Sequence, residues 1–418
     1  MLSSSPPAPR EEIVALARAL VRAPSQASTE VSADSLDGVL RLLSHWLGEA
    51  SLPVRELEGD DGRTAGLTVT VEGRRPGPVV CLDACLDTAP VGDLASWSVD
   101  PFGGEIRDGK LYGRGSADSK IAVSIFVHLA RELARAGLPA GTLHVLLDGD
   151  EHSGGFAGIK AFVERERIRP DFAAIGYPGN TKLVIGARGF FRAVVVVRGA
   201  EAHSGSLRAD TGQNAVAKAA RLVELLRGVE MPDDAVPGFE AGPRLTVTAI
   251  HGGNGFSQIP GRCEVNVDVR LTPGWGADWA RALVHGALER LDRELPTAYR
   301  SVARETESWP AYRLDPELPP VEVLRRAAEE SFGRPVPAAV AGPSNIGNYL
   351  ACFGIPATCG FGVTYGGLHG ADEWVDLATV EPVYRAYRQA VYEWVRTLTR
   401  RTTDEALAAV AEPVARTG

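Results

Sequence analysis

The stretch that decides the fold begins Val79-Val80-Cys81-Leu82-Asp83-Ala84-Cys85-Leu86-Asp87-Thr88-Ala89-Pro90. Val79 to Leu82 is a short apolar run behind Gly77-Pro78, which predicts a buried strand. Downstream, the spacing predicts a helix from Ser119 to about Ala136, stopped by Gly137. Thr142 to Leu147 reads as a second buried strand that runs directly into Asp150-Glu151-His152. Strand, helix, strand in this order implies a mixed, mostly parallel α/β sheet with helices on both faces. In such a sheet, functional residues belong at the C-terminal ends of the strands. The residues found there, Cys85, Asp87, Glu151 and His152, are chemically capable ones.

Working outward, Arg10 to Ala23 and Ser35 to Ala50 place apolar side chains at helical spacing. The middle of the chain changes character. Ala193 to Val197, Leu245 to Ile250 and Cys263 to Leu271 read as strands, as does Tyr299 to Glu305. Asn214 to Leu226 and Ala277 to Leu291 read as amphipathic helices between them. Two strand-helix-strand units predict a small α+β, ferredoxin-like domain inserted into the first. The expected bounds are 10–188 and 306–400 for the main domain and 189–305 for the insert. Residues 1–9 and 401–418 read as tails, the first without the basic and apolar regions of a signal peptide.

The 418 residues carry a formal net charge of -9, with 44% hydrophobic and 23% charged residues. This composition is that of a globular protein and argues against nucleic acid as a partner. No apolar run reaches the ~20 residues of a membrane helix. The five cysteines, Cys81, Cys85, Cys263, Cys352 and Cys359, make neither a disulfide framework nor a C-x-x-C pair. Reduced thiols and a cytoplasmic location are expected.

Several further segments carry chemistry. They are Gly113-Arg114-Gly115-Ser116-Ala117-Asp118-Ser119-Lys120, Ile175-Gly176-Tyr177-Pro178 and His369-Gly370-Ala371-Asp372-Glu373. With Trp97 to Lys120, Gly186-Ala187-Arg188-Gly189, Ala202-His203-Ser204 and Gly212-Gln213-Asn214-Ala215, they resemble the co-catalytic zinc hydrolases. That family includes aminoacylases, acetylornithine deacetylase, succinyl-diaminopimelate desuccinylase and glutamate-releasing carboxypeptidases. The resemblance runs from about residue 11 to 398. It implies a catalytic α/β domain, a lid or dimerisation insert, and a homodimer formed through the lid.

The resemblance also implies roles. Asp118 matches the bridging aspartate of a two-zinc centre, His369 the final histidine, Glu151 the general base, and Asp87 the aspartate beside the first ligand. Three positions depart from the pattern: Cys85 stands for the first histidine, His152 for a metal-binding glutamate, and Tyr177 for the second acidic ligand. Asp118, His152 and His369 remain competent zinc ligands. Cys85, Asp118 and Tyr177 make a poor second set, because a phenol with a pKa near ~10 rarely ionises. One zinc per chain is therefore expected. Cys85 stands as a ligand or as an inert buried thiol, and Asp83 as a stray carboxylate on the same strand face. Tyr177 reads as a filler of the vacated pocket or a substrate contact.

From the insert, His203 matches a histidine that polarises the substrate carbonyl. Arg270 matches an arginine that binds a carboxylate, the alternative being an exposed strand-end arginine. Ser257 replaces its usual asparagine companion, and Asn345 stands where the family often has an acid. The implied activity is metal-dependent hydrolysis of an N-acyl amino acid or short peptide. The altered ligands leave a second possibility: a non-hydrolytic step on an amino-acid-derived metabolite, such as amide formation, cyclisation or isomerisation.

Overall fold

The computed structural model describes residues 9–26, 34–48, 52–206, 213–233 and 236–398. The two expected tails lie almost wholly outside them. The described chain divides into two compact units, one from within residues 9–186, 313–339 and 345–398, the other from within 187–312 and 340–344.

The first unit opens with helices α1 (Arg10–Val21) and α2 (Asp34–Gly48) and strands β1 (Val54–Glu58) and β2 (Thr64–Glu72). Next come β3 (Val79–Cys85), α3 (Ile121–Ala136), β4 (Thr142–Asp148) and β5 (Phe172–Ile175). Strand β3 is buried nearly throughout, as a strand covered on both faces must be. It pairs in parallel with β4 and with β5, while β1, β2 and β4 pair antiparallel. Helix α3 is buried from Ile121 to Ala130 and stops at Gly137, whose φ of 81° only glycine adopts easily. The helix begins two residues later than its sequence spacing predicts. The preceding turn, Ser116–Lys120, takes Asp118 and Ser119 out of helical geometry.

The second unit is a β-α-β-β-α-β arrangement. Its elements are β6 (Gly189–Arg198), α4 (Ala215–Arg227), β7 (Arg244–Gly252), β8 (Arg262–Leu271), α5 (Ala277–Glu294) and β9 (Val302–Trp309). The antiparallel sheet runs β7-β8-β6-β9, the ferredoxin-like order. Val195, Val197, Val265, Val267 and Val269 face one way and close a core with Leu222 and Leu226 of α4 and Val284 and Leu288 of α5. The other sheet face carries, from β6, Phe190, Arg192, Val194 and Val196 by alternation.

The chain then returns to the first unit through α6 (Pro319–Phe332), α7 (Ile346–Ala351), β10 (Ala357–Thr358), β11 (Trp374–Asp376) and α8 (Val380–Thr397). Strand β10 joins β5 in parallel and completes a six-stranded sheet. Tyr387 of α8 packs edge-on against Phe126 of α3, and Trp394 donates to the Pro320 carbonyl at 3.0 Å. These contacts bring the last quarter of the chain, with His369, back to the first half.

Candidate active site

The site forms where β3 and β4 end. Cys85 lies in parallel register with Asp148, so the segments after the two strands leave the sheet side by side. The Asp87 carboxylate joins them by accepting the backbone amides of Glu151 (3.0 Å) and His152 (2.9 Å). Asp148 reinforces the turn from below, accepting from the Asp150 and Ile159 amides. Asp87 thereby fixes where the Glu151 and His152 side chains start.

Asp118 comes from the turn ahead of α3. Gly115 opens that turn at φ 79°, and a Cβ there would stand 2.4 Å from the Thr88 methyl, so no larger residue fits. The Glu373 carboxylate accepts the amides of Gly115, Ala117 and Asp118, at 3.1, 2.8 and 3.1 Å. Arg114 donates to Glu373 at 2.6 Å and to the Gly370 carbonyl at 2.8 Å. The loop carrying His369 is thus tied to the turn carrying Asp118.

These supports bring the donors together. His369 Nε2 lies 3.0 Å from Asp118 Oδ2, and His152 Nε2 lies 3.5 Å from the same oxygen. On its other side, His152 Nδ1 is 3.3 Å from Asp87 Oδ2 and 3.4 Å from Glu151 Oε2. His152 is only 5% exposed, yet neither ring nitrogen makes a hydrogen bond. A buried imidazole with two unsatisfied nitrogens beside a carboxylate and a second imidazole is what a cation would satisfy. Asp118, His152 and His369 therefore fit a metal ion. Cys85, Asp87 and His152 form a second convergent group.

The electrostatics follow from burial. It works against the Asp118 carboxylate, but the neighbouring imidazoles of His152 and His369 prevail and keep its pKa below the usual range. Burial pushes Glu151 up to about 8 against the lowering by His152, with Asp118 and Asp87 adding to the rise and the Tyr177 hydroxyl opposing it. Tyr177 donates its hydroxyl to Glu151 Oε1. Burial and the neighbouring Glu151 push the phenol far above its ordinary value, which makes Tyr177 a proton donor and a poor anionic ligand. Cys85 contacts Ser119 Oγ at 3.0 Å, and burial followed by the charge of Asp118 keeps its thiol protonated. Asp83 is fully buried with both oxygens unbonded. Burial, Asp148 and Glu151 raise its pKa, and it joins neither convergent group.

The other expected residues have partners of their own. Asn345 caps α7, accepting from the Gly347 amide while its own amide bonds Asn348 Oδ1. In the second unit, His203 pairs with Gln258 across a short strand pair. Its Nδ1 accepts from the Gly205 amide at 3.0 Å, which places the proton of the neutral ring on Nε2. Ser257 accepts the Ser204 amide through its carbonyl. Arg270 pairs with Asp268 at 2.8 Å and reaches Ser344 Oγ at 3.4 Å. The sequence reading missed the Arg114–Glu373 pair, the Ser119 contact and the bond from Tyr177 to Glu151. Each joins residues distant in sequence, except that Ser119 neighbours a ligand and was open to suspicion.

An α/β sheet with a carboxylate–imidazole centre at its strand ends, interrupted by a ferredoxin-like insert, defines a metal-dependent hydrolase of the zinc-peptidase class. The chain belongs to Peptidase family M20/M25/M40, whose model matches residues 81–393. It is 29% identical over 395 residues to a succinyl-diaminopimelate desuccinylase of Rhodospirillum centenum, covering 91% of this chain and 97% of that one. A second desuccinylase, from Xanthomonas campestris, is 32% identical over 334 residues, covering 75% of this chain and 83% of its own. In fold it is similar to a metallo-carboxypeptidase of Sulfolobus solfataricus, with a TM-score of 0.72 at 15% identity, covering 92% of this chain and 99% of that one. Among the described residues, no helix is long and apolar enough to cross a membrane.

Proposed function

We propose that this chain is a metal-dependent amidohydrolase that uses one zinc ion and releases an amine from an N-acyl amino acid or short peptide. The observation that carries this reading is the convergence of Asp118, His152 and His369 beside Glu151. These three side chains would hold the ion. When bound, it polarises the amide carbonyl and makes water more acidic.

The chain's own residues supply the proton transfers. Glu151, as the carboxylate, takes a proton from the attacking water as the new C–O bond forms. It passes that proton to the departing nitrogen as the C–N bond breaks, so one residue serves as base and then as acid. Tyr177 holds one Glu151 oxygen by its hydroxyl, leaving the other for the proton. In this reading His203, protonated on Nε2, steadies the developing oxyanion, and Arg270 binds the substrate carboxylate. Ser257 and Asn345 take part only as backbone and capping supports.

A homodimer through the insert fits this reading. Strand β7 is an edge strand of the inserted sheet, and an open edge is a ready site for pairing with a second copy. The five free cysteines suit a reducing, cytoplasmic setting. The thiol–imidazole–carboxylate group of Cys85, His152 and Asp87 favours the non-hydrolytic alternative, but a thiol kept protonated by burial is a poor nucleophile.

The test is metal content per chain by plasma mass spectrometry for wild type and His152→Ala, joined to amine release from a panel of N-acyl amino acids. About one zinc per chain, lost in the variant, together with amine release, supports the proposal. A wild-type protein that takes up no zinc when it is supplied overturns it.

A further inference from the structure

The Asp118 carboxylate has two oxygens, and the fold gives them different company. Oδ2 faces the imidazoles, 3.0 Å from His369 Nε2 and 3.5 Å from His152 Nε2. Oδ1 turns to the end of β3, where Ser119 Oγ donates to it at 3.2 Å and Cys85 Sγ reaches it at 3.7 Å. Cys85 Sγ and Ser119 Oγ are themselves 3.0 Å apart. All three residues are buried, so these contacts are made at low dielectric, where a hydrogen bond is stronger than in water.

Consecutive residues of a helix do not face each other. Ser119 meets Asp118 because both stand outside helical geometry in the turn ahead of α3. A hydroxyl carries one proton and two lone pairs, while a carboxylate only accepts. Once the Ser119 proton is given to Asp118, Oγ is left as an acceptor for the Cys85 thiol. The donors therefore run one way, from Cys85 through Ser119 to Asp118 Oδ1. An aspartate that bridges two ions gives one oxygen to each. Here two neutral donors stand on the side of Oδ1.

We propose that Ser119, backed by Cys85, stands in for a second ion at Asp118. It is a positioning residue that holds Oδ1 and turns Oδ2 to a single zinc, an inference that rests on the one-zinc amidohydrolase reading. A hydrogen bond to a ligating carboxylate fixes its orientation, and loss of such a partner weakens metal binding about 10- to 100-fold. The two donors also satisfy an acceptor oxygen that would be costly to bury alone. They do so without adding charge, so Asp118 keeps its whole negative charge for the ion at Oδ2. The metal count of this chain is thus set at the shared ligand as well as at the Tyr177 position.

The test compares full-length wild type, Ser119→Ala and Ser119→Thr. It measures zinc affinity by chelator competition, the visible spectrum with cobalt(II) in place of zinc, and the urea midpoint of the metal-free protein. Ser119→Ala should still bind one zinc, but about 10- to 100-fold more weakly. Ser119→Thr keeps the hydroxyl and should bind as the wild type does. Without Ser119, both Asp118 oxygens are free to reach one ion. The cobalt band of Ser119→Ala should therefore lose intensity as the coordination number rises above that of a tetrahedral site. A residue with only a structural role would lower the metal-free midpoint and leave the spectrum alone, which overturns the proposal. Unchanged affinity and spectrum in Ser119→Ala, or equal weakening in both variants at unchanged metal-free midpoints, also overturns it. Two zinc ions in the wild type overturn it too, while amide hydrolysis stands. One zinc held through Ser119, with no amine released from any N-acyl amino acid, keeps the proposal and removes the amidohydrolase reading.

Discussion

Arg114 and Glu373 form an ion pair at 2.6 Å with each side chain 1% exposed, and it joins two segments 259 residues apart. The pair also lies beside the Trp97 ring. Because Glu373 receives three amides of the Asp118 turn and Arg114 reaches Gly370, this pair sets the distance between Asp118 and His369. Removing one member leaves a buried, unpaired charge, which costs about 3–5 kcal/mol. Glu373→Gln and Arg114→Met should each lower the denaturation midpoint strongly. The double variant should lose much less than the sum of the two, as a double-mutant cycle in urea would reveal. Additive losses would mean the two residues act separately.

Glu151→Gln keeps the shape of the side chain and removes its basicity. Turnover should fall about 10²- to 10⁴-fold, the usual worth of a positioned general base. Zinc content should be unchanged, since Glu151 is outside the Asp118, His152, His369 group. Rates of amine release and metal analysis on the same preparation separate the two effects. Near wild-type turnover would remove Glu151 from the proton transfer.

Tyr177→Phe takes away the hydroxyl that engages Glu151 and little else. A hydrogen bond to a charged group is worth about 1.5–3 kcal/mol, so kcat should drop roughly tenfold or more while zinc stays bound. A rise in KM alone would assign Tyr177 to substrate binding.

The ligand departures are themselves testable. Replacing Cys85 by histidine and Tyr177 by glutamate together restores the donor types that the family resemblance implies for a second ion. The double variant Cys85→His, Tyr177→Glu should rise from about one to about two zinc ions per chain, because imidazole and carboxylate bind where a buried phenol does not. Unchanged stoichiometry would place the obstacle in the backbone or in Asp83.

Acid sensitivity has a source outside the metal centre. Burial lowers His144 on β4 to about 4, against about 6.5 in an unfolded chain. The unfolded state therefore takes up this proton first. The stability that neutral His144 confers is complete above about pH 6.5 and is lost as pH falls toward 4. Urea midpoints at pH 7 and pH 5 should differ by more in wild type than in His144→Gln. Equal differences would show that His144 does not titrate in this window.

Much of this protein was determined by local sequence. The apolar run of β3, the helical spacing of α3 and the alternating strands of the insert each carry their own periodicity, because burial of one face must repeat at the period of the backbone. The candidate ligands were also legible, since Asp118, His152 and His369 stand in recognisable segments. Tertiary structure alone decided what those residues do to one another. No local signal says that the Tyr177 hydroxyl reaches Glu151, that Asp87 holds the Glu151 and His152 amides, or that Glu373 closes on Arg114. Nor does any local signal bring the Cys85 thiol to Ser119, since that depends on how the turn ahead of α3 meets the end of β3. Periodicity is a property of neighbours along the chain, whereas charge and hydrogen bonding act through space and become definite only when the chain has folded back on itself.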